Sequence, residues 1–216
     1  TLHVDSSNNR VGIGTTSPST PLHVSDSQSS GGVGFTLQNS TGSAGTTPYC
    51  FIGGILNPSR NGGEIRFGRE GVYAEQATAD SFMAFYTAQN DTNTERLRID
   101  SSGNLLLGTT SARGLGKLEI EGTSFENSGL TLVRNSNNTG STAINICKSR
   151  GGISSVTSVA NGDVLGGINF RGADGANLRD ACDIRGEVDG TPSQGTDMPG
   201  RLVFRTSADG SSSPTE

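Results

Sequence analysis

The chain has no tryptophan, two histidines and three cysteines in 216 residues, and only 31% of it is apolar. Each shortage excludes something. Cys50, Cys147 and Cys182 are odd in number, widely spaced and form no C-x-x-C pair, so neither a zinc site nor a disulfide framework is expected, and the thiols read as buried or idle. With His3 and His23 as the only imidazoles, and no motif around either, no Ser-His-Asp or Cys-His grouping can be assembled. The 16 basic residues are scattered and outnumbered by 21 acidic ones, for a net charge of -5, which lacks the electrostatic footprint of a nucleic-acid binder. No apolar run reaches the roughly 18 residues of a membrane-spanning helix, so no membrane insertion is expected. The N-terminus has neither a basic start nor an apolar signal segment.

What the chain has instead is glycine, 32 of them, set among Ser, Thr and Asn between short apolar stretches. That pattern predicts many short strands joined by tight turns and a core too thin for one chain, so oligomerisation is expected. Arg10 to Val24, RVGIGTTSPSTPLHV, begins like a phosphate loop, but Ser17 replaces the third glycine. No lysine follows, and Pro18 and Pro21 oppose the helix that would hold the phosphate.

Sliding the sequence over itself gives this stretch a different meaning. Leu2-His3-Val4-Asp5-Ser6-Ser7-Asn8-Asn9 recurs as Leu97-Arg98-Ile99-Asp100-Ser101-Ser102-Gly103-Asn104. Past a one-residue deletion, Gly14-Thr15-Thr16-Ser17 recurs as Gly108-Thr109-Thr110-Ser111, and past a two-residue insertion Leu22-His23-Val24 recurs as Leu118-Glu119-Ile120. Weaker anchors follow in order: Phe35-Thr36-Leu37 with Leu130-Thr131-Leu132, Gly63 to Phe67 with Gly166 to Phe170, Phe85-Tyr86-Thr87 with Phe204-Arg205-Thr206, and Thr94-Glu95 with Thr215-Glu216. The chain ends where a third copy would begin, which suggests a segment of a longer protein.

In both copies apolar residues are paired at a spacing of two, as on one face of very short strands: Leu2/Val4, Val11/Ile13 and Leu22/Val24, then Leu97/Ile99, Leu105/Leu107 and Leu118/Ile120. Gly12 and Gly14 leave the opposite face bare, which suits close approach of neighbouring backbone at a multi-chain axis. The intervening segments carry longer strand signals. Glu64 to Phe67, Ile168 to Arg171 and Asp183 to Asp189 alternate, Arg201 to Arg205 fits a more buried strand, and Asn61-Gly62, Asn161-Gly162, Asp174-Gly175, Asp189-Gly190 and Asp209-Gly210 predict turns. Ala74 to Ala88 has a weak helical pattern, which Phe82 to Tyr86 matches equally well as a buried strand.

The stretches Leu97 to Asn104, Val11 to Pro18 and Pro199 to Glu216 resemble modules that recur in tail-fibre proteins of tailed bacteriophages, including those of cyanobacteria. The resemblance covers most of the chain. It implies an all-β, elongated homotrimeric fibre in which intertwined short-strand necks (1–24 and 97–121) alternate with small antiparallel β domains (25–96 and 122–216). The implied role is structural, a shaft or spacer in the virion tail fibre that supports host attachment and contacts other virion tail proteins. Leu105-Leu106-Leu107-Gly108 departs from Val11-Gly12-Ile13-Gly14, and no part of the chain resembles the self-cleaving chaperone domain that ends some fibres.

Two alternatives remain at this stage: a glycan-binding module that recognises a host-surface receptor, and a polysaccharide-degrading enzyme. The second would need two placed carboxylates. The richest acidic cluster is Asp174, Asp180, Asp183, Glu187 and Asp189. However, Asp183, Arg185, Glu187 and Asp189 are spaced by two opposite Ile184 and Val188, as on a solvated strand face, and no calcium-loop pattern is present. His3 and His23 are replaced by Arg98 and Glu119 in the second copy, which argues against a shared metal or catalytic role. Asn39-Ser40-Thr41, Asn90-Asp91-Thr92 and Asn137-Asn138-Thr139 match glycosylation acceptors, as an Asn/Ser/Thr-rich chain does by chance. No catalytic residue, cofactor or metal is therefore assigned, and the chain is expected not to be an enzyme.

Overall fold

The computed structural model describes residues 1–26, 35–39, 48–57, 60–71, 79–211 and 213–216. It is all-β, with a single short helix among the described residues, and divides into two compact units, Thr1–Thr131 and Leu132–Glu216.

The first unit holds two sheets. In the smaller, β1 (Leu2–Asp5), β2 (Arg10–Ile13) and β3 (Leu22–Val24) lie in that order, β1–β2 antiparallel and β2–β3 parallel. The larger has the order β4 (Tyr49–Asn57), β5 (Arg60–Glu70), β6 (Asp80–Gln89), β7 (Thr92–Ile99), β8 (Leu105–Leu107) and β9 (Leu118–Ile120). Neighbours are antiparallel except β8–β9, which are parallel. Helix α1 (Phe125–Ser128) follows. The second unit has one antiparallel sheet, β10 (Val164–Ala173), β11 (Leu178–Val188) and β12 (Gly200–Thr206).

The two segments aligned in the sequence share one register. Leu2, His3 and Val4 face Ile13, Gly12 and Val11, which face Val24, His23 and Leu22; Leu97, Arg98 and Ile99 face Leu107, Leu106 and Leu105, which face Ile120, Glu119 and Leu118. The deleted residue falls in the β-turn. Asp5 pairs with Arg10 in the first, whereas the backbone N–H of Asp100 already donates to Asn104 in the second. The aspartate organises the turn in both. Its two carboxylate oxygens accept the backbone and side-chain N–H groups of Asn8 in one case and of Asn104 in the other, at 2.8 to 3.1 Å.

Gly14 and Gly108 end their strands with φ of 77° and 78°. A Cβ at either would overlap a backbone carbonyl, that of Ser25 or of Glu121, so both conformation and space demand glycine. Gly12 is crowded by the Thr15 carbonyl in the same way. The close backbone approach expected at these glycines is thus made by the chain itself.

Several expectations are corrected. Residues 80–88 lie in β6, which removes the helical reading there, while 72–78 fall outside the described residues. Asn61-Gly62 lies inside β5 instead of at a turn, beside a bulge at Gly54/Ile55. The other four dipeptides lie at turns or strand ends, with positive φ at Gly162, Gly175, Gly190 and Gly210. The pairing of Gly63–Phe67 with Gly166–Phe170 is also displaced: Ile65 faces Phe85 and Ile184 faces Phe204, so with Phe85 and Phe204 equivalent, Glu64-Ile65-Arg66 corresponds to Asp183-Ile184-Arg185. The Thr94/Thr215 anchor is consistent with this register, since Thr87 faces Thr94 and Thr206 bridges Thr215.

Residue 97 follows 96 within β7, so the segment 97–121 supplies strands to the six-stranded sheet.

Candidate functional site

Strand alternation divides each sheet into two unlike faces. In the six-stranded sheet, register brings Ile52, Ile65, Phe85, Leu97, Leu107 and Ile120 into one row across every strand. The next row is Cys50, Phe67, Met83, Ile99, Leu105 and Leu118. This apolar face is uncovered: Ile52 is 53% exposed, Phe67 42% and Leu118 54%. The small sheet repeats the pattern with Leu2, Val4, Ile13 and Leu22, all exposed. In the second unit the rows are Ile168-Ile184-Phe204 and Gly166-Gly186-Leu202, with Phe204 63% and Leu202 64% exposed.

The opposite faces are charged, and the charges are paired within the chain. Arg66 and Glu64 form an ion pair, and the Arg66 guanidinium lies 4.3 Å from the Tyr49 ring centre and 4.1 Å from that of Tyr86. A bulge between Phe85 and Tyr86 brings Glu95 opposite Tyr86, so that Glu95 and Arg98 share a face despite their spacing of three. Arg98 then grips Glu95 with two bonds of 2.7 and 2.8 Å, stacks on Phe82 at 3.7 Å and reaches Glu70, while the Tyr86 hydroxyl donates to Glu95 at 2.7 Å. Burial opposes the Glu95 charge, but the bonds from Arg98 and Tyr86 outweigh it and hold the carboxyl below its usual range. The Tyr86 hydroxyl is pushed up, by burial first and by Glu95 next.

On β11 and β12, Asp183 accepts from Arg185 at 3.2 Å and from Arg205 at 3.0 Å; Glu187 accepts from Arg201 at 3.0 Å and lies 3.5 Å from Arg185. Asp183 is 5% exposed. The solvated strand face expected here is therefore corrected in part: Asp183 is buried and Glu187 half-buried because long arginine side chains surround their carboxylates, while Asp189 is exposed; on the other face Val188 is buried and Ile184 half-buried, beside exposed Ile168 and Phe204. Asp180 pairs with Arg171 and Asp174 with Arg179, so these acids stand in separate ion pairs instead of converging on one point. The Arg179 guanidinium, with backbone N–H groups of Asn177 and Ala176, holds the Asp174 carboxyl far below its ordinary value.

His3 and His23 share a face across Gly12. His23 Nδ1 accepts the backbone N–H of Ser19 at 3.3 Å, and the equivalent Glu119 accepts those of Arg113 and Gly114, so the two unlike residues fasten the same connecting loop. Among the described residues no cluster of His, Cys, Asp and Glu could hold a metal ion, and no helix is long and apolar enough to cross a membrane. All three cysteines are free; Cys147 is exposed, while Cys50 and Cys182 are half-buried on the apolar faces. Of the acceptors, Asn39 is described but Ser40 and Thr41 lie outside the described residues.

The arginine-aromatic group of Tyr49, Arg66, Phe82, Tyr86 and Arg98 borders a concavity of about 350 Å³ on the charged face. Sequence reading noted the Glu64-Ile65-Arg66 alternation but missed this group, because the bulge that aligns Glu95 with Arg98 has no sequence mark of its own.

No family model matches the chain, and no curated protein matches its sequence. Among solved structures, the fold is similar to the carboxy-terminal domain of the bacteriophage T5 L-shaped tail fibre. The TM-score is 0.67 at 13% identity, covering 88% of this chain and 83% of that one. The chain therefore has a tail-fibre-like all-β fold.

Proposed function

We propose that this chain is a structural segment of a phage tail fibre, a homotrimeric, non-catalytic shaft or spacer that supports host attachment from within the virion tail. The observation that carries this reading is the pair of unlike sheet faces: charges neutralised on one side, rows of uncovered Ile, Leu, Val and Phe on the other. Among the described residues the buried apolar side chains are only Ala84, Leu106, Val159, Val188 and Val203, too few to offset the ordering of the backbone. Burying each exposed Leu or Phe against a partner contributes about 1.5–3 kcal/mol, and contiguous apolar surface of this kind marks an interface. A homotrimer brings three copies of these faces together, with the short strands of 1–24 and 97–121 wound at the axis. The tail-fibre likeness supports the role at the level of fold.

Sedimentation equilibrium tests the reading. A mass three times the 22.2 kDa of the chain is expected, and a stable, compact monomer overturns it. A second reading, glycan recognition, is favoured by the arginine-aromatic concavity, since this charged face stays outside an assembly closed on the apolar one. Glycan-array binding that is lost in Tyr86→Ala is expected on that reading, and an empty array removes it.

A further inference from the structure

Residues 142–148, Thr-Ala-Ile-Asn-Ile-Cys-Lys, alternate as a half-buried strand does, with Ile144 and Ile146 on one side and Asn145 on the other. Yet they belong to no sheet. Among the described residues, no backbone group of this stretch hydrogen-bonds to another part of the chain, although its neighbour Ser141 is held by Arg134. Backbone N–H and C=O groups in a strand-forming sequence require partners once they leave water. Side-chain contact is already present: Ile144 and Ile146 share a concavity of about 330 Å³ with Gly166, Ile168, Gly186 and Leu202, and a Cβ at Gly166 would overlap Ile146. Ile144 nevertheless stays 69% exposed and Ile146 51%. In the same unit β10 is an edge strand among the described residues, with β11 on one side and, among those residues, no strand paired to its other edge.

We propose that residues 142–148 form an intermolecular β-strand on the open edge of β10 in a second copy of this chain. The occupant is a second copy because each chain carries both halves of the contact, an unpaired strand sequence and an unpaired edge. Passed head to tail around three copies, the contact closes and leaves no such edge open. The proposal rests on the trimeric reading above and adds which backbone makes the exchange.

Hydrogen exchange read by mass spectrometry on the full chain, across a concentration series, tests it. In the assembly the amides of 143–148 exchange about 100-fold more slowly than in chains dissociated by dilution. An assembled trimer whose 143–148 amides exchange like a free peptide overturns this proposal alone and leaves the fibre reading standing. Protection that persists unchanged in dissociated chains means pairing within one chain and also overturns it. A monomer at every concentration overturns the fibre reading first. Asn145→Pro removes one N–H and keeps both isoleucines; it is expected to weaken assembly while amides of β11 and β12 stay protected, and unchanged assembly counts against the exchange.

Discussion

At the scale of single residues, the turn and strand-end positions of the two aligned segments are the most constrained. Gly14 and Gly108 combine positive φ with a facing carbonyl that excludes a Cβ. Gly14→Ala or Gly108→Ala is expected to cost at least about 1–3 kcal/mol, read as a lower denaturant midpoint, whereas Gly103→Ala, with positive φ but open space, is expected to cost less. The carboxylates give a pH dependence of definite sign. Asn8 bonds hold the Asp5 carboxyl below its ordinary 3.8; at Asp100 burial opposes, and Asn104 bonds prevail in the same direction. Glu95 lies below 4.5 for the reasons given above. A carboxyl with a depressed folded-state value stabilises fully above its unfolded value, and the contribution is lost as pH falls through the folded one. Stability is therefore expected to be flat above about pH 5 and to decline below 4.5, with Glu95→Gln flattening part of that decline in acid titrations followed by circular dichroism.

Elements are held together here by register more than by bulk core. Leu106 on β8 is fully buried on the charged side, at the position where the first segment has Gly12. Leu106→Ala is expected to cost about 2–5 kcal/mol in chemical denaturation. Much of this level was legible in advance. Apolar pairs at a spacing of two marked β1, β2, β3, β8 and β9, and alternation marked β5, β10 and β11. The parallel pairing of β2 with β3 and of β8 with β9 was not, because period two reports which face a residue takes and not which way its neighbour runs. The correspondence of Glu64-Ile65-Arg66 with Asp183-Ile184-Arg185 was missed for a similar reason. A shared Ile-x-Phe looked like the better match, and only hydrogen-bond register distinguishes a strand from its neighbour.

For the whole molecule, the exposed apolar rows make assembly the expected state. On the proposed trimeric reading, Phe204→Ser and Leu202→Ser are expected to shift the assembly toward smaller species in sedimentation while the β11–β12 pairing persists, since both exposed side chains project from the apolar face. If these substitutions leave the mass unchanged, the second unit's apolar face is not part of the interface. The amino-acid sequence alone determined that the chain is all-β, glycine-punctuated and thin in core, and that residues 1–24 and 97–121 share a pattern. These are local properties, set by side-chain alternation and backbone freedom. Which face is sheltered was decided only in three dimensions. Alternation separates Asp183 from Ile184 but does not say which of them meets water, and the arginines that enclose Asp183 and Glu187 include Arg201 and Arg205 on another strand, brought there by register.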